Sequence, residues 1–339
     1  MFNSKKYDIV AIGDTVTDAF IKLEEAHVNC KLNTEEQEIC MRFGDKIPYE
    51  FVEVCPAVGN SANAVISASR LGLKSAIITN IGDDSEGRDA LDQFRKNNVS
   101  TDFVAINKGM KTNYHYVLWF ETDRTILIKH EKFPHTFPKL KDPKWIYLSS
   151  LGENSLPFHK TIEEYLLKNP KVKLAFQPGT FQMKFGTEAL KEIYKRADVF
   201  FCNVEEADRI LKIDSKEKTN DNIRELAKKI ADLGPKVVVL TDGSNGAYAY
   251  EKEKDILLFM PLYPDTKPPY ERTGAGDAFA STFTSALIKG KTVEEALLWA
   301  PINAMSVVQD IGAQKGLISE AKLLEYLKVA PESYKPKVI

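Results

Sequence analysis

The segment RTGAGDAFAS, residues 272–281, places two glycines and an acid directly before an apolar helix. Gly274 and Gly276 leave the backbone without Cβ atoms, so its N–H groups can approach a ligand closely. The helix that follows adds the positive end of its dipole, which makes residues 274–276 a potential anion-binding site. The acid, Asp277, could accept the proton of an attacking hydroxyl while these N–H groups stabilise charge on a transferring phosphoryl group.

Asp277 also has a simpler interpretation, as a first-turn acid that complements the dipole of its own helix. The motif alone leaves both interpretations open. What separates them is whether other segments supply groups for phosphates, a metal ion and a phosphoryl acceptor, because catalysis of phosphoryl transfer needs all of these within reach.

Two segments that follow predicted strands could bind the phosphates and the Mg²⁺ of a nucleotide. After KVVVL, the turn TDGSNG places Gly243 and Gly246 where a phosphate can lie at the end of a parallel strand; a plain hairpin turn is the alternative. After DVFFC, the segment NVEEAD places Asn203 and Glu206 one helical turn apart. That spacing suits a hydrated Mg²⁺, which takes only one or two protein oxygens, but an ordinary N-cap is the alternative.

A third group of residues could bind a hydroxyl-rich ligand. Asp14 and Asp18 lie just past the first predicted strand, and Gly59, Asn60 and Asn63 open the next helix. Carboxylates and amides accept from and donate to paired hydroxyl groups. Capping of the helix by Asn60 or by the serine after it is the simpler alternative, and both can hold together.

The elements that must position these residues alternate along the chain. Short β-branched runs such as YDIVAIG, KSAIITNIG and KVVVLTDG are separated by helical patterns such as SANAVISASRLG. This alternation predicts an α/β fold, a doubly wound and mostly parallel sheet with helices on both faces. Near-continuous apolar strands are typical of a sheet that is buried on both faces.

Two segments interrupt the alternation, residues 19–54 and residues 112–129. The second reads TNYHYVLWFETDRTILIK, which is typical of a two-stranded hairpin that turns at residues 121–124. Both segments are candidates for a small β lid over one edge of the main sheet. Aromatic side chains on the hairpin could stack on a nucleobase or pack beneath the strands, and packing is the favoured interpretation.

Composition excludes several other classes of protein. The 339 residues carry a formal charge of -2, so no net basic field attracts nucleic acid or a membrane surface. The four cysteines have no CxxC spacing, and the N-terminal apolar run is too short for a signal peptide, so we expect reduced thiols and a cytoplasmic protein. No apolar run approaches 18 residues, which argues against a membrane span.

Two glycine-containing segments resemble other nucleotide motifs only superficially. GKT at 290–292 lacks the earlier glycine of a Walker A loop and follows a helix, so Gly290 is interpreted as a helix C-cap. IGDDSEG at 81–87 lacks the GxGxxG pattern, which argues against a nicotinamide dehydrogenase. Gly82 and Asp83 are instead predicted to form the turn and cap before a helix from Ser85.

The chain resembles the ribokinase-like (PfkB) family of carbohydrate and nucleoside kinases. Residues 58–99, beginning VGNSANAVISASRLG, are similar to the N-terminal signature of that family, and residues 272–290, RTGAGDAFASTFTSALIKG, to its C-terminal one. The intervening NxxE and TxGxxG elements extend the match from about residue 6 to residue 330. The resemblance implies a single ribokinase-like domain over residues 1–339, with a small β lid.

The resemblance also implies a role for each matching position. Asp277 is implied as the catalytic base, with an anion hole at Gly274, Ala275 and Gly276. Acceptor binding is implied for Asp18, Gly59, Asn60 and Asn63, beside Asp14. The implied nucleotide and Mg²⁺ residues are Asn203 and Glu206, the phosphate turn at Thr241, Gly243 and Gly246, and an adenine-side wall at Asn303, Gly312 and Ala313.

The implied reaction is transfer of a phosphoryl group from ATP, with Mg²⁺, to a hydroxyl of an uncharged sugar, a primary CH₂OH being favoured. GNSAN contains no lysine to meet an acceptor phosphate, which favours an uncharged acceptor. A nucleoside acceptor is the first alternative, and a non-catalytic nucleotide-binding protein on the same fold is the second. Glu271 stands where the family often has an aspartate of a monovalent-cation site, so K⁺ activation is an open alternative. Residues 27–48 form an insertion that could shape specificity, contribute to a homodimer through the lid, or be a surface excursion.

Overall fold

Strands and helices alternate through most of the chain. The structure, a computed structural model, describes residues 6–30, 37–121, 123–213 and 218–339. Its strands are β1 (Ile9–Ile12), β2 (Val16–Leu23), β3 (His27–Cys30), β4 (Gln37–Cys40), β5 (Tyr49–Val58), β6 (Ser75–Gly82), β7 (Val104–Asn107), β8 (Asn113–Phe120), β9 (Asp123–Leu127), β10 (Trp145–Leu148), β11 (Lys173–Phe176), β12 (Val199–Asn203), β13 (Val237–Thr241), β14 (Ala247–Glu251), β15 (Ile256–Met260) and β16 (Lys337–Val338).

Ten α-helices lie within the described ranges, with short 3₁₀ turns at Glu153–Ser155 and Gly243–Asn245. The helices are α1 (Asn60–Arg70), α2 (Ser85–Lys96), α3 (Leu156–Lys168), α4 (Thr180–Ala189), α5 (Lys191–Arg196), α6 (Val204–Leu211), α7 (Asn220–Asp232), α8 (Ala275–Ile288), α9 (Val293–Val307) and α10 (Glu320–Lys328). None of these described helices is long and apolar enough to span a bilayer.

The main sheet has ten strands in the order β16-β15-β14-β13-β12-β11-β10-β1-β6-β7. Neighbouring strands from β7 across to β13 pair in parallel, and β13 to β16 pair antiparallel at one edge. The order reverses on either side of β1, so the carboxyl ends of β1 and its neighbours meet at a switch point where ligands bind in such sheets. The predicted doubly wound, mostly parallel sheet is confirmed.

Both faces of the sheet are buried, as the apolar strands require. In β1, Ile9 and Ala11 belong to one hydrophobic cluster, with Val65 of α1 and Phe283 of α8. Their neighbours Val10 and Ile12 belong to the other cluster, together with residues from α3, α6 and α7. Because successive side chains of a strand point to opposite faces, this division places helices on both sides of the sheet.

A second sheet of four strands, in the order β5-β2-β8-β9, forms the lid. Strands β8 and β9 are the hairpin expected within residues 112–129, with Phe120 opposite Asp123, so the turn is tighter than the expected one at residues 121–124. Strand β2 already begins at Val16, and pairs with both β5 and β8. The predicted boundary at residue 19 therefore cuts through a lid strand.

The insertion at residues 27–48 contributes a separate antiparallel pair, β3 with β4. Residues 31–36 of this insertion lie outside the described residues.

Two expectations on helix ends can also be compared with the structure. Gly290, with φ +83°, follows the end of α8 as expected, whereas the cap of α2 is Asp84, not Asp83, because the Asp84 carboxylate accepts from the N–H of Gly87.

Candidate active site

Asp277 lies in the first turn of α8, and its side chain is buried. Three amide groups donate hydrogen bonds to its carboxylate. Asn60 Nδ2 and Gln177 Nε2 donate to Oδ1 over 2.9 and 3.0 Å, and Asn63 Nδ2 donates to Oδ2 over 2.8 Å. The donors come from the start of α1 and from the residue after β11, so two distant segments fix the orientation of one carboxylate. An acid that only complemented its own helix dipole would need none of these donors.

Burial raises the pKa of Asp277, against the three amide hydrogen bonds and the positive charge of Arg124, which lower it. A carboxylate with a raised pKa is a stronger proton acceptor than an exposed one. The amides favour the ionised form and orient the group, while burial disfavours its charge. This balance suits a general base that must accept a proton from a hydroxyl.

The residues at the start of α1 serve Asp277 instead of capping their own helix. Gly59 is the N-cap residue, with φ +108°, and a Cβ there would lie 2.8 Å from the carbonyl oxygen of Asp14. Asn60 donates to Asp277, and Asn63 Oδ1 accepts from Gln314 Nε2 over 3.0 Å. That bond turns the amide nitrogen of Asn63 towards Asp277. Capping by Asn60, the simpler alternative, is therefore not what the structure has.

The glycine segment at the start of α8 has two different glycines. Gly274 is the N-cap residue with φ +82°, and a Cβ there would lie 2.3 Å from the Cβ of Ala313. Gly276 is exposed, and a Cβ on it would meet no atom of the described residues within 4 Å. The two glycines and Ala275 thus form the N-terminus of α8, one of whose residues, Gly276, is exposed, and Asp277 follows in the same first turn.

Asp14, after β1, and Asp18, on the lid strand β2, each lie against a histidine that the sequence analysis missed, and the two histidines contact each other. His115 Nδ1, on β8, lies 3.3 Å from Asp18 Oδ1, and His130 Nδ1, after β9, lies 3.1 Å from Asp14 Oδ2. All four side chains are largely buried. His115 is in the predicted hairpin, where the alternation of side chains along a strand places it on the same face as Asn113. His130 follows β9 in an irregular segment, where no alternation indicates its orientation.

Asn203 and Glu206 form a capping box at the start of α6. Asn203 Oδ1 accepts from the N–H of Glu206 over 2.7 Å, and Glu206 Oε2 accepts from the N–H of Asn203 over 2.9 Å. The simpler alternative, an N-cap, therefore describes their contacts. Burial raises the pKa of Glu206, and the charge of Asp277 raises it further, so the two carboxylates belong to one electrostatic environment.

These residues fit the way in which proteins hold Mg²⁺. The ion takes one or two protein oxygens and otherwise keeps waters and substrate phosphates. Glu206 uses Oε2 for its cap, which leaves a second carboxylate oxygen, and the described residues contain no cluster of three acidic, histidine or cysteine side chains that would hold a metal by themselves. An ion shared between Glu206 and a nucleotide is consistent with both facts.

The segment TDGSNG forms a hairpin turn between β13 and β14, the simpler of its two interpretations. Gly246, with φ +104°, is required there because a Cβ would lie 2.5 Å from the carbonyl oxygen of Met260. Thr241 is the register partner of Asn203 on the neighbouring parallel strand. The turn with Thr241 and Gly243 therefore lies next to the start of α6, at the same edge of the sheet.

Asn303 is placed differently from the expectation that it lines an adenine-side wall. Its side chain is fully buried in α9. It donates to Thr282 Oγ1 over 2.8 Å and to Ser67 Oγ over 3.3 Å, and accepts from the N–H of Ile318 over 3.1 Å. The expected role of Asn303 is corrected because its side-chain amide already makes three hydrogen bonds to interior groups. The side chain therefore links packed elements and does not face a ligand. Of the wall residues, Ala313 does reach the glycine segment of α8.

The lid hairpin contacts the loop that precedes α8. Arg124 Nη1 lies 3.4 Å from Glu271 Oε1, and the ring of Trp119 packs edge-on against Tyr270 with 5.1 Å between centroids. Trp119 is buried, which supports packing as its role. Glu271 Oε1 also accepts from the N–H of Thr273 over 2.7 Å. The sequence analysis did not identify Arg124 or Gln177 as site residues. Gln177 could have been found, because it directly follows an apolar parallel strand, and Asp14 lies at the corresponding end of β1.

The fold and the site together define a phosphotransferase that acts on small molecules, and the chain belongs to the pfkB family of carbohydrate kinases, whose family model, "pfkB family carbohydrate kinase", matches residues 9–320. The chain is 26% identical over 315 residues to an ATP-dependent 6-phosphofructokinase from Thermoanaerobacterium thermosaccharolyticum. This alignment covers 88% of this chain and 86% of that protein. It is 25% identical over 344 residues to a 5-dehydro-2-deoxygluconokinase from Bacillus licheniformis. This alignment covers 96% of this chain and 98% of the relative.

Among solved structures, the fold is similar to that of a ribokinase from Arabidopsis thaliana complexed with ribose and ATP. The TM-score is 0.77 at 20% identity, over 96% of this chain and 99% of the ribokinase. The family match identifies the chain as an ATP-dependent carbohydrate kinase, as the two signature segments predicted. The acceptor and the roles of individual residues are a separate question, which the geometry addresses.

Proposed function

We propose that the protein transfers the γ-phosphoryl group of ATP to a primary hydroxyl of an uncharged sugar, with Asp277 as the general base. The observation that carries this proposal is the buried Asp277 carboxylate, held by Asn60, Asn63 and Gln177 in the first turn of α8, where Gly276 is exposed. A proton acceptor and an anion-binding backbone thus lie within one turn of one helix. In-line phosphoryl transfer needs these two groups side by side.

Asp277 orients the acceptor hydroxyl and takes its proton as the oxygen attacks phosphorus. The backbone N–H groups of residues 274–277 donate to the oxygens of the transferring group, where the helix dipole adds to their effect. Asn203 and Glu206 would hold Mg²⁺, in part through water, and the bound ion neutralises phosphate charge during transfer. Thr241, Gly243 and Gly246 are proposed for the nucleotide phosphates, and Gly312 with Ala313 for the adenine side.

The acceptor is proposed to bind between the lid and the end of β1, against Asp14 and Asp18. Two carboxylates in one pocket disfavour an anionic acceptor, because like charges held close together raise its free energy of binding. Arg124, whose positive charge lowers the pKa of Asp277, is already paired with Glu271. These charges support an uncharged sugar, whereas the two relatives are an ATP-dependent 6-phosphofructokinase and a 5-dehydro-2-deoxygluconokinase.

A homodimer through the lid is proposed from the outer face of the lid sheet. Val52 and Val54 are 43% and 54% exposed on β5, and the strand register places Tyr116 of β8 and Leu127 of β9, 49% and 51% exposed, on the same face. Contiguous apolar side chains on one face of a sheet are typical of a protein–protein contact. Sedimentation equilibrium would show a dimer that Val54→Lys converts to monomer; a monomeric wild type would refute the proposal.

The decisive experiment is ADP release with ATP and Mg²⁺ against a panel of free sugars, phosphosugars, sugar acids and nucleosides. One free sugar should stimulate turnover, and Asp277→Asn should reduce kcat by about 10²- to 10⁴-fold while ATP still binds. The nucleoside arm tests a nucleoside as the acceptor, which is the first alternative. If no acceptor stimulates turnover although ATP binds, the kinase proposal fails, and a non-catalytic nucleotide-binding role replaces it.

A further inference from the structure

The hydroxyl of Tyr147 binds one of the amide groups that in turn bind Asp277. Tyr147 is in β10, its side chain is fully buried, and its hydroxyl donates a hydrogen bond to Gln177 Oε1. The other end of the same amide, Gln177 Nε2, donates to Asp277 Oδ1 over 3.0 Å. The three side chains therefore form a chain of hydrogen bonds that ends on the Asp277 carboxylate.

The register of the main sheet explains why a tyrosine reaches this position. Tyr147 pairs with Ala11 of β1 on one side and with Ala175 of β11 on the other. All three side chains belong to the same hydrophobic cluster, so two small neighbours leave room for one large ring. Gln177 lies two residues after Ala175, and its N–H continues the pairing by donating to the carbonyl oxygen of Leu148. Its side chain is therefore on the same face of the sheet as the ring of Tyr147.

Packing alone does not explain the hydroxyl of Tyr147. Phenylalanine would fill the same space, and a buried hydroxyl costs free energy unless it forms a hydrogen bond. The partner that the structure gives this hydroxyl is Gln177, whose side chain is only partly buried. Burial and the charge of Asp277 raise the pKa of Tyr147, so the hydroxyl keeps its proton and donates it to the amide.

This donated proton determines which end of the Gln177 amide faces Asp277. An ionised carboxylate only accepts hydrogen bonds, so Asp277 needs the nitrogen end of the amide. Tyr147 binds the oxygen end, which leaves the nitrogen for Asp277. A half turn of the amide would bring two acceptors together at Asp277 and leave the hydroxyl proton of Tyr147 without its acceptor.

A second amide that binds Asp277 is held in the same way. Asn63 Nδ2 donates to Asp277 Oδ2, and Asn63 Oδ1 accepts from Gln314 Nε2 over 3.0 Å. Gln314 is itself buried, and its Nε2 also donates to the carbonyl oxygen of Ala57 over 2.6 Å. Each oxygen of the Asp277 carboxylate thus has an amide donor whose own oxygen is bound by a buried side chain.

We propose that Tyr147 is a positioning residue for phosphoryl transfer, whose hydroxyl holds the Gln177 amide so that this amide orients Asp277 towards the acceptor hydroxyl. The inference rests on the proposed function, since it takes Asp277 as the general base. Tyr147 acts through Gln177 and not on the acceptor, because its side chain is fully buried. Loss of the hydroxyl would free the amide to turn, and the hydrogen bond that favours the ionised carboxylate would weaken.

Other charged or titratable groups face Asp277 from the elements around it. The charge of Arg124, on the lid strand β9, lowers the pKa of Asp277. The charge of Asp277 raises the pKa of Glu206, at the start of α6, and that of Tyr147 itself. Replacing Tyr147 with phenylalanine changes neither Arg124 nor Glu206. A change in the titration of Asp277 would therefore report the loss of the hydrogen bond to Gln177.

The test measures kcat and both KM values from about pH 5 to about pH 9 for wild type, Tyr147→Phe, Gln177→Leu and the double variant. In Tyr147→Phe the acid limb of the kcat profile should move to higher pH by about half a unit, because the pKa of Asp277 rises when its donor is loosened. At the acid end kcat should fall about threefold, with both KM values within about twofold of wild type. The double variant should match Gln177→Leu, since Tyr147 acts through that amide.

Tyr334→Phe is the matched control. The hydroxyl of Tyr334 is also in a buried side chain, and it donates to the carbonyl oxygen of Leu298 in α9 over 2.7 Å. This variant loses the same kind of hydrogen bond, so its melting temperature should fall about as much as that of Tyr147→Phe. Its kcat profile should nevertheless follow wild type. A merely structural role for Tyr147 would make the two variants alike.

An acid limb that stays in place in Tyr147→Phe, or a double variant shifted by the sum of the two single shifts, would overturn the proposal. A readout without turnover separates it from the proposed function: NMR titration of the Asp277 carboxyl group in protein labelled with ¹³C at its aspartate carboxyl groups, assigned with Asp277→Asn. If the Asp277 midpoint rises in Tyr147→Phe but no sugar is phosphorylated, the proposed function has failed and the positioning stands. If sugar is phosphorylated and the midpoint is unchanged, the positioning has failed.

Discussion

Arg124 of the lid hairpin forms an ion pair with Glu271, which lies three residues before the glycine segment of the anion-binding site. Glu271 is 2% exposed, and its Oε1 atom also accepts from the N–H and hydroxyl of Thr273. One carboxylate thus joins the lid to the loop that leads into α8. Lid position and the geometry of the anion-binding backbone are therefore coupled through a single side chain.

Arg124→Gln should lower the free energy of unfolding by about 3 kcal/mol, because it leaves the buried Glu271 charge without its cation. Thr273 continues to donate to Glu271, which limits the loss. The double variant Arg124→Gln with Glu271→Gln should recover most of it, since no buried charge then remains. Urea unfolding of the four proteins of this cycle measures the coupling. Additive effects would contradict a direct pairing of the two side chains.

The pH dependence of turnover should depend on Gln177. Its amide donates to Asp277 and lowers the pKa of that carboxylate, against the burial that raises it. Gln177→Leu removes the donor, so the Asp277 pKa rises further. Because the base must be ionised to accept a proton, the acid limb of the kcat profile should move to higher pH, by about one unit.

The alkaline side of the same profile should be unchanged in Gln177→Leu. Asn60→Leu, which removes another donor to the same oxygen, should move the acid limb in the same direction. An acid limb that stays in place in both variants would show that Asp277 is not the titrating base.

Much of this arrangement could be predicted from the sequence because it depends on residues that are close together in the chain. The apolar runs of the parallel strands, the glycine and acid at the start of α8, and the hairpin of β8 and β9 all have short-range patterns. The donors to Asp277 do not, since Asn60 and Asp277 are 217 residues apart and only the sheet order brings them together. His130 lies in an irregular segment and contacts Asp14, 116 residues away in the chain. No periodic pattern in the sequence indicates such a contact.

Asn303 illustrates the opposite failure. Its position in a family pattern suggested a ligand wall, but its amide bonds to Ser67 of α1 and Thr282 of α8. A polar residue inside an apolar helix is satisfied either by ligand or by other helices, and sequence alone does not separate the two.

Glu206→Gln should separate the cap from the metal site. Glutamine serves in a capping box as glutamate does, so α6 and the melting temperature should change little. The substitution removes a charge whose pKa burial already raises, and with it the ligand proposed for Mg²⁺. The Mg²⁺ concentration for half-maximal turnover should therefore rise about tenfold or more. Equal loss of stability and activity would assign Glu206 to the cap alone.

Gly276 offers the sharpest test of the anion-binding backbone. A Cβ on Gly276 meets no described atom within 4 Å, so Gly276→Ala should fold with an unchanged melting temperature. A methyl group above the helix N-terminus would nevertheless obstruct a transferring phosphoryl group, and kcat should fall by about 10²-fold. Gly274→Ala is the contrasting variant, because φ +82° and the contact with Ala313 predict a loss of stability as well. A fully active Gly276→Ala protein would remove the start of α8 from the reaction.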